Sequence, residues 1–395
     1  MTARRRTLLR VGLAATTGGL AGCSIFGGDG GNPSTDDEKD SQNPAVPTDE
    51  WHSLQRTPAN DGVAAETTVP ADPTERWRIT LPAAVDCQPV VGEDSLFVIT
   101  RDGTLHALET TTGETVWTES LGDTRTKCPA IVGETVVVGT GNGQLRAFDQ
   151  GSGDTTWTID TPGVPGDPTP YGDTVYVGTD DGTLLGIDAP SADVRTRIDA
   201  GEAVITPPAV TDQLLYVGCG QDMLDNEVFA FGRGTGTEQW RAESFGPQAV
   251  VATEYRIVTV RRDGLYLYNH SGEIRGQSSA SIPPAATGEV LYTGGGTVSP
   301  ISLVEGGPDW VHWLEKNTDA QPEVTGGMSL GETTLCVPYA NFDGETPEPV
   351  LLGLSTDSGN QQWKRALPDG FPTAPVLADE GIFVGTDSGT LLALD

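Results

Sequence analysis

The sequence predicts an all-β protein, an eight-bladed β-propeller, from three observations. The chain repeats itself with a period near forty residues, each repeat divides into four short strand-like runs, and the last repeat stops one run short. Composition agrees. Gly 51 and Pro 28 together fill one fifth of the 395 residues, a density of helix breakers that disfavours a helical bundle or solenoid.

The clearest unit is Ala107-Leu-Glu109-Thr-Thr-Thr112-Gly113-Glu-Thr-Val-Trp117, and the next is Ala147-Phe-Asp149-Gln-Gly-Ser152-Gly153-Asp-Thr-Thr-Trp157. Further copies end at Trp240 and Trp363, and worn ones lie at 186–196, at 266–276 and around 303–313. In the last of these the pattern does not choose between Trp310 and Trp313. A proline precedes each copy: Pro89, Pro129, Pro168, Pro208, Pro247, Pro284 and Pro322, with Pro375 opening an eighth unit.

Within the first unit, Pro89-Val90-Val91 reads as one strand and Ser95 to Thr100 as a second. Asp102-Gly103 is a tight-turn signal, because Gly accepts positive φ. Thr104 to Glu109 alternates apolar and polar as a third strand. Thr112-Gly113 turns the chain again, and Thr115-Val-Trp117 starts the fourth. Four strands per forty residues is the signature of a propeller blade. Seven units are complete, and the eighth stops at Ala393-Leu394-Asp395, after its third strand. Arg76-Trp77-Arg78-Ile79 stands before the first proline and supplies the missing strand, so the N-terminal strand is expected to close the ring and leave no open edge.

The first fifty residues read as an address and a tether. Arg5 and Arg6 sit in a twin-arginine export signal, followed by a weak apolar stretch too short to span the roughly 30 Å of hydrocarbon. Leu20-Ala21-Gly22-Cys23 looks like a lipobox, so residues 1–22 are expected to be a signal peptide and Cys23 the lipidated residue. Residues 23–50 lack periodicity, contain Asp36-Asp37-Glu38, and read as a flexible acidic linker to a folded unit spanning 51–395. The expected location is the extracytoplasmic face of the cell membrane.

Charge narrows the partners. With 23 basic and 56 acidic residues the formal net charge is −33, which excludes nucleic acid, since phosphate neutralisation needs Lys and Arg. The lysines are Lys39, Lys127, Lys316 and Lys364 alone. Such a surface predicts adaptation to molar salt, as in halophilic archaea, where a screening length of about 3 Å hides like charges from one another.

The pattern Ala-x-Asp-x-x-Thr-Gly-x-x-x-Trp resembles the tryptophan-docking repeat of pyrroloquinoline-quinone (PQQ)-type, quinoprotein-like propellers, over about residues 77–395. Residues Trp51 to Gly62 also resemble the lead-in found before such propellers. The resemblance implies that Trp77, Trp117, Trp157, Trp240 and Trp363 lie between neighbouring blades. The quinoprotein alcohol dehydrogenases of this kind carry adjacent cysteines in a vicinal disulfide, a calcium ion held by acidic and amide side chains, and a catalytic aspartate. Here the cysteines (Cys23, Cys87, Cys128, Cys219, Cys336) are far apart and no haem-attachment motif is present. Cys87 and Cys128 differ by one residue in their offset from the following proline. If both lay on strands they would face opposite sides, which favours two buried free thiols over a disulfide.

Other candidates carry less. The histidines His52, His106, His270 and His312 show no metal-ligand spacing. Gly139-Thr-Gly141-Asn-Gly143 precedes a strand rather than a helix, and Asp180-Asp181-Gly182 reads as a hairpin tip. Asn269-His270-Ser271 fits a glycosylation acceptor, used or unused. No catalytic residue, metal site or cofactor is expected. The reading is a non-catalytic, monomeric interaction scaffold that binds an exported or membrane protein, with loops 340–348 and 220–226 as the places to look. The alternatives are a PQQ-dependent oxidoreductase and a small-molecule or sugar binder using the axial channel.

Overall fold

The computed structural model describes residues 51–395 except 124–127, 221–225, 245, 262, 281, 306, 316–320, 343–346 and 380. The described secondary structure is strand throughout, in eight small antiparallel sheets, the blades, numbered in chain order with blade 2 at 130–160, blade 3 at 169–199, blade 4 at 209–243, blade 5 at 249–278 and blade 6 at 285–313. Blade 1 is Val90–Val91, Ser95–Ile99, Thr104–Glu109 and Thr115–Ser120, ordered from the axis outward. The second and third strands are buried on both faces, because each blade packs between two others. The outer strand alternates exposed and half-buried residues. Hairpin turns join neighbouring strands; Gly103 and Gly143 hold φ of 78° and 79° at the Asp-Gly and Asn-Gly turns.

Blade 8 is built from both ends of the chain. Its inner three strands are Val376–Ala378, Gly381–Gly385 and Thr390–Leu394, and its outer strand is Glu75–Thr80. Trp77 stands opposite Ala393 and Ile79 opposite Leu391. Thr74 and Asp395 exchange backbone hydrogen bonds of 2.8 Å each way. The ring therefore closes by strand pairing as the truncated eighth repeat requires.

Blade 7 departs from the repeat. Its second and third strands, Thr334–Phe342 and Pro347–Ser355, are the longest among the described residues, and Gln321–Val324 pairs with the upper part of Thr334–Phe342. Its inner strand is Ser329–Leu330. Pro322 therefore lies in an added strand and does not open the inner one, in contrast to the other repeat prolines.

The cysteine expectation is overturned. Cys87 and Cys128 form a disulfide, with Cα atoms 5.7 Å apart. Both precede the inner strands of blades 1 and 2 in irregular backbone, so the strict alternation of a pleated strand does not govern where their side chains point. Cys219 and Cys336 are buried free thiols. Burial pushes Cys219 up to about 12 and Cys336 higher still, which leaves both protonated and unreactive.

Candidate functional site

The inner strand of each blade turns an unpaired edge toward the axis, and in a closed ring those edges need partners. Residues 51–67 supply them to six of the eight blades. The N–H groups of Val91, Ile131, Val210, Ala252, Ala286 and Leu330 donate to the carbonyls of Trp51, His52, Pro58, Ala59, Asp61 and Gly62 at 2.7–2.9 Å. These are inner-strand residues of blades 1, 2, 4, 5, 6 and 7, met in order around the ring. The equivalent residue of blade 3 is Pro170, opposite Val175 as Val210 is opposite Leu215. Proline has no N–H to give, and the segment passes this blade by.

Side chains fasten the same path. Asn60 Nδ2 donates to Pro208 O and Val250 O, both at 3.2 Å, joining blades 4 and 5. Gln88 accepts from Gln55 N at 3.0 Å and donates to Pro375 O at 2.7 Å, joining the segment to blades 1 and 8. Four described residues other than glycine have positive φ, and three of them, Gln55, Arg56 and Asn60, are here. Each such backbone costs roughly 1–3 kcal/mol and persists only where its surroundings over-determine it.

All six contacts fall at or near the ends of the inner strands that lead into the first hairpin turns. The opposite mouth opens into a funnel of about 290 Å³. Its floor is Leu54, Gln55 and Asn60, and its wall is the segments that enter the inner strands, including Val85–Gln88, Thr325–Gly327 and Phe371–Ala374. Asp86 and Asp387 are its charged lining residues, and no Lys, Arg or His is among the described lining. Arg101 holds Asp86 through two bonds of 2.6 and 2.7 Å. Asp387 accepts from Phe371 N at 2.7 Å.

Asp61 is a buried carboxyl of the closing segment. Burial pushes its carboxyl up to about 7, against the pull of hydrogen bonds from Thr57 and the Val63 N–H and of the Arg56 charge. His106 lies 3.1 Å from Thr100 Oγ1, which donates to Asp102 at 2.7 Å. This brings a hydroxyl, an imidazole and a carboxylate together, which the sequence did not reveal. The same turn recurs without histidine at Thr140–Asn142 and Thr179–Asp181, so the arrangement is turn chemistry and not a catalytic set.

The tryptophans mark the blade interfaces. The indole N–H groups of Trp77, Trp117, Trp157, Trp240 and Trp310 donate to the carbonyls of Thr110, Gln150, Ala189, His270 and Thr356 in the next blade at 2.7–2.9 Å. Gly153 lies under Trp117, and a Cβ there would come within 2.6 Å of the ring. Trp310, not Trp313, occupies the interblade position, and Trp313 is 75% exposed. Trp363 differs from the expected pattern: it is buried, but its N–H meets no acceptor among the described residues. It faces blade 8, where two chain ends stand in place of the Thr-Gly turn. Asn269 is buried, its Oδ1 accepting from Ser271 N and Glu273 N, so the sequon is closed to a glycan in the folded protein. Arg5, Arg6 and Cys23 lie outside the described residues.

Three segments together spanning 65–395 match the sequence profile of one family, described as outer membrane protein assembly factor BamB, at residues 65–169, 161–281 and 225–395. The chain belongs to that BamB family. No curated protein matches the sequence. Among solved structures, BamB from Moraxella catarrhalis aligns over 82% of this chain and 97% of its own, with 18% identity and a TM-score of 0.58. The quinohemoprotein alcohol dehydrogenase ADHIIG from Pseudomonas putida HK5 aligns over 88% and 80%, with 12% identity and a TM-score of 0.64. The enzyme from Comamonas testosteroni aligns over 89% and 81%, with 13% identity and a TM-score of 0.62. These likenesses establish a shared fold.

The dehydrogenase fold raises the question of PQQ. That cofactor carries three carboxylates, and the described funnel lining of this BamB-family chain meets it with Asp387, with Asp86 already paired to Arg101, and with no Lys, Arg or His. Like charges in a narrow cleft repel. No group of three or more described His, Cys, Asp or Glu residues is placed to hold a metal ion. The described lining residues therefore offer those carboxylates no cationic side chain of their own and do not fit the cofactor.

Proposed function

We propose that this chain is a non-catalytic, membrane-tethered scaffold outside the cytoplasm that docks an exported or membrane protein on its funnel face. The observation that carries this reading is an aromatic pair at the funnel lip. Phe342, at the top of the long blade 7 hairpin, is 46% exposed, and Phe371 is 39% exposed, with ring centroids 6.0 Å apart. On a surface carrying so much negative charge, two adjacent exposed phenylalanines are the composition of an interface core. The strands that flank the loops singled out from sequence, 340–348 and 220–226, end on this same face, and the loop tips at 343–346 and 221–225 lie outside the described residues.

The Cys87–Cys128 disulfide supports an oxidising compartment, in keeping with Arg5-Arg6 as an export signal and Cys23 as a lipid anchor. The family name supports an assembly role. The alternative, a PQQ-dependent oxidoreductase, draws on the dehydrogenase likeness and is disfavoured by a described funnel lining without Lys, Arg or His. Crosslinking on native membranes followed by pull-down tests the proposal. A discrete set of membrane or exported proteins is expected. Stoichiometric binding of PQQ with Ca²⁺, followed by its absorbance change, would overturn it.

A further inference from the structure

We propose that residues 51–67 are an axial strap that closes one mouth of the ring, so that the propeller is a cup open only at the funnel face. This inference rests on the path and contacts of residues 51–67 and stands whether or not the scaffold reading does.

The strap satisfies the inner edges of six blades with its own carbonyls, and it does so at the mouth away from the funnel. Its register is set by side chains that reach two blades at once, Asn60 above all. Gly62 holds φ of +69°, and a Cβ there would come 2.9 Å from Met328 O and clash with the Gln55 amide. Trp51, fully buried against Val91, anchors the start of the path. Thr67 O, accepting from Glu332 N at 3.0 Å, ends it at the first hairpin turn of blade 7. A small solute or a partner's peptide can therefore reach the axis from one face only, and the strap is as much part of the ring as its blades.

Amide hydrogen exchange on the full chain tests this. In the wild-type protein the amides of Val91, Ile131, Val210, Ala252, Ala286 and Leu330 are expected to be protected at least a hundredfold over unstructured rates. In Gly62→Val the strap is forced off its register. These six are then expected to exchange at least tenfold faster, while the third and outer strands of the same blades hold their rates. Asn60→Ala is expected to act in the same direction at Val210 and Ala252 and serves where Gly62→Val fails to fold. Unprotected wild-type rates at the six amides would overturn the proposal, and so would unchanged rates there in Asn60→Ala.

Discussion

At the scale of single residues, the repeat shows where backbone and indole depend on each other. Ala192 stands where Gly113 and Gly153 stand in their repeats, with φ of 60° against 73° and 75°. A Cβ in this left-handed region costs about 1 kcal/mol, so Ala192→Gly is expected to stabilise the protein by about that much in denaturant melts. Trp117→Ala removes a half-buried ring and its bond to Gln150, and a loss of about 3 kcal/mol is expected. Asp61 gives a pH signature. Its carboxyl is raised in the folded chain from an ordinary value of 3.8 to about 7. Between those values the unfolded chain gives up this proton first, so the stability contribution is full below about pH 4 and is lost as pH rises to about 7. Comparison with Asp61→Asn isolates it: the wild-type melting temperature is expected to fall relative to the variant across that interval and to run parallel above it.

Elements show what was legible in the sequence and what was not. The Thr-Gly turns and their tryptophans placed the blades, because each is a local pattern whose partner lies one repeat away. Trp310 and Trp313 could not be told apart for a local reason. Pro300 sits where Ala107 pairs with Trp117 in blade 1, and it has no N–H to offer the outer strand. The ladder of blade 6 therefore shortens to Thr297 with Trp313 and Val298 with His312. The lead-in from Trp51 was recognisable, but its path around the axis was not. Its hydrogen bonds come from the main chain of residues about 40 to 270 positions away and leave no periodic trace. The disulfide was not legible because Cys87 and Cys128 lie outside strands, where alternation does not set the direction of a side chain. It closes a loop with a sequence separation of 41, for which chain entropy gives about 4 kcal/mol. Reduction is expected to lower the unfolding midpoint accordingly. Cys87→Ser/Cys128→Ser is expected to match the reduced wild type.

For the molecule as a whole the formal net charge is −33, and with 18 basic against 49 acidic residues in 51–395 the ring holds −31 of it, so folding compresses mutually repelling carboxylates. The melting temperature is expected to fall on dialysis from molar to dilute salt; indifference to salt would remove the halophilic reading. The same ring has two unlike faces. One is crossed by the strap, and the other bears the funnel, the tall hairpin of blade 7 and the pair Phe342 and Phe371. That asymmetry is the core of the functional account, and photocrosslinking tests it most directly. A photoreactive residue is placed at Phe342, and separately at Glu134 on the strap side, in the chain expressed in its own membranes. Partner adducts are expected from position 342 and not from 134. Adducts from 134 alone, or none from 342, would contradict the account.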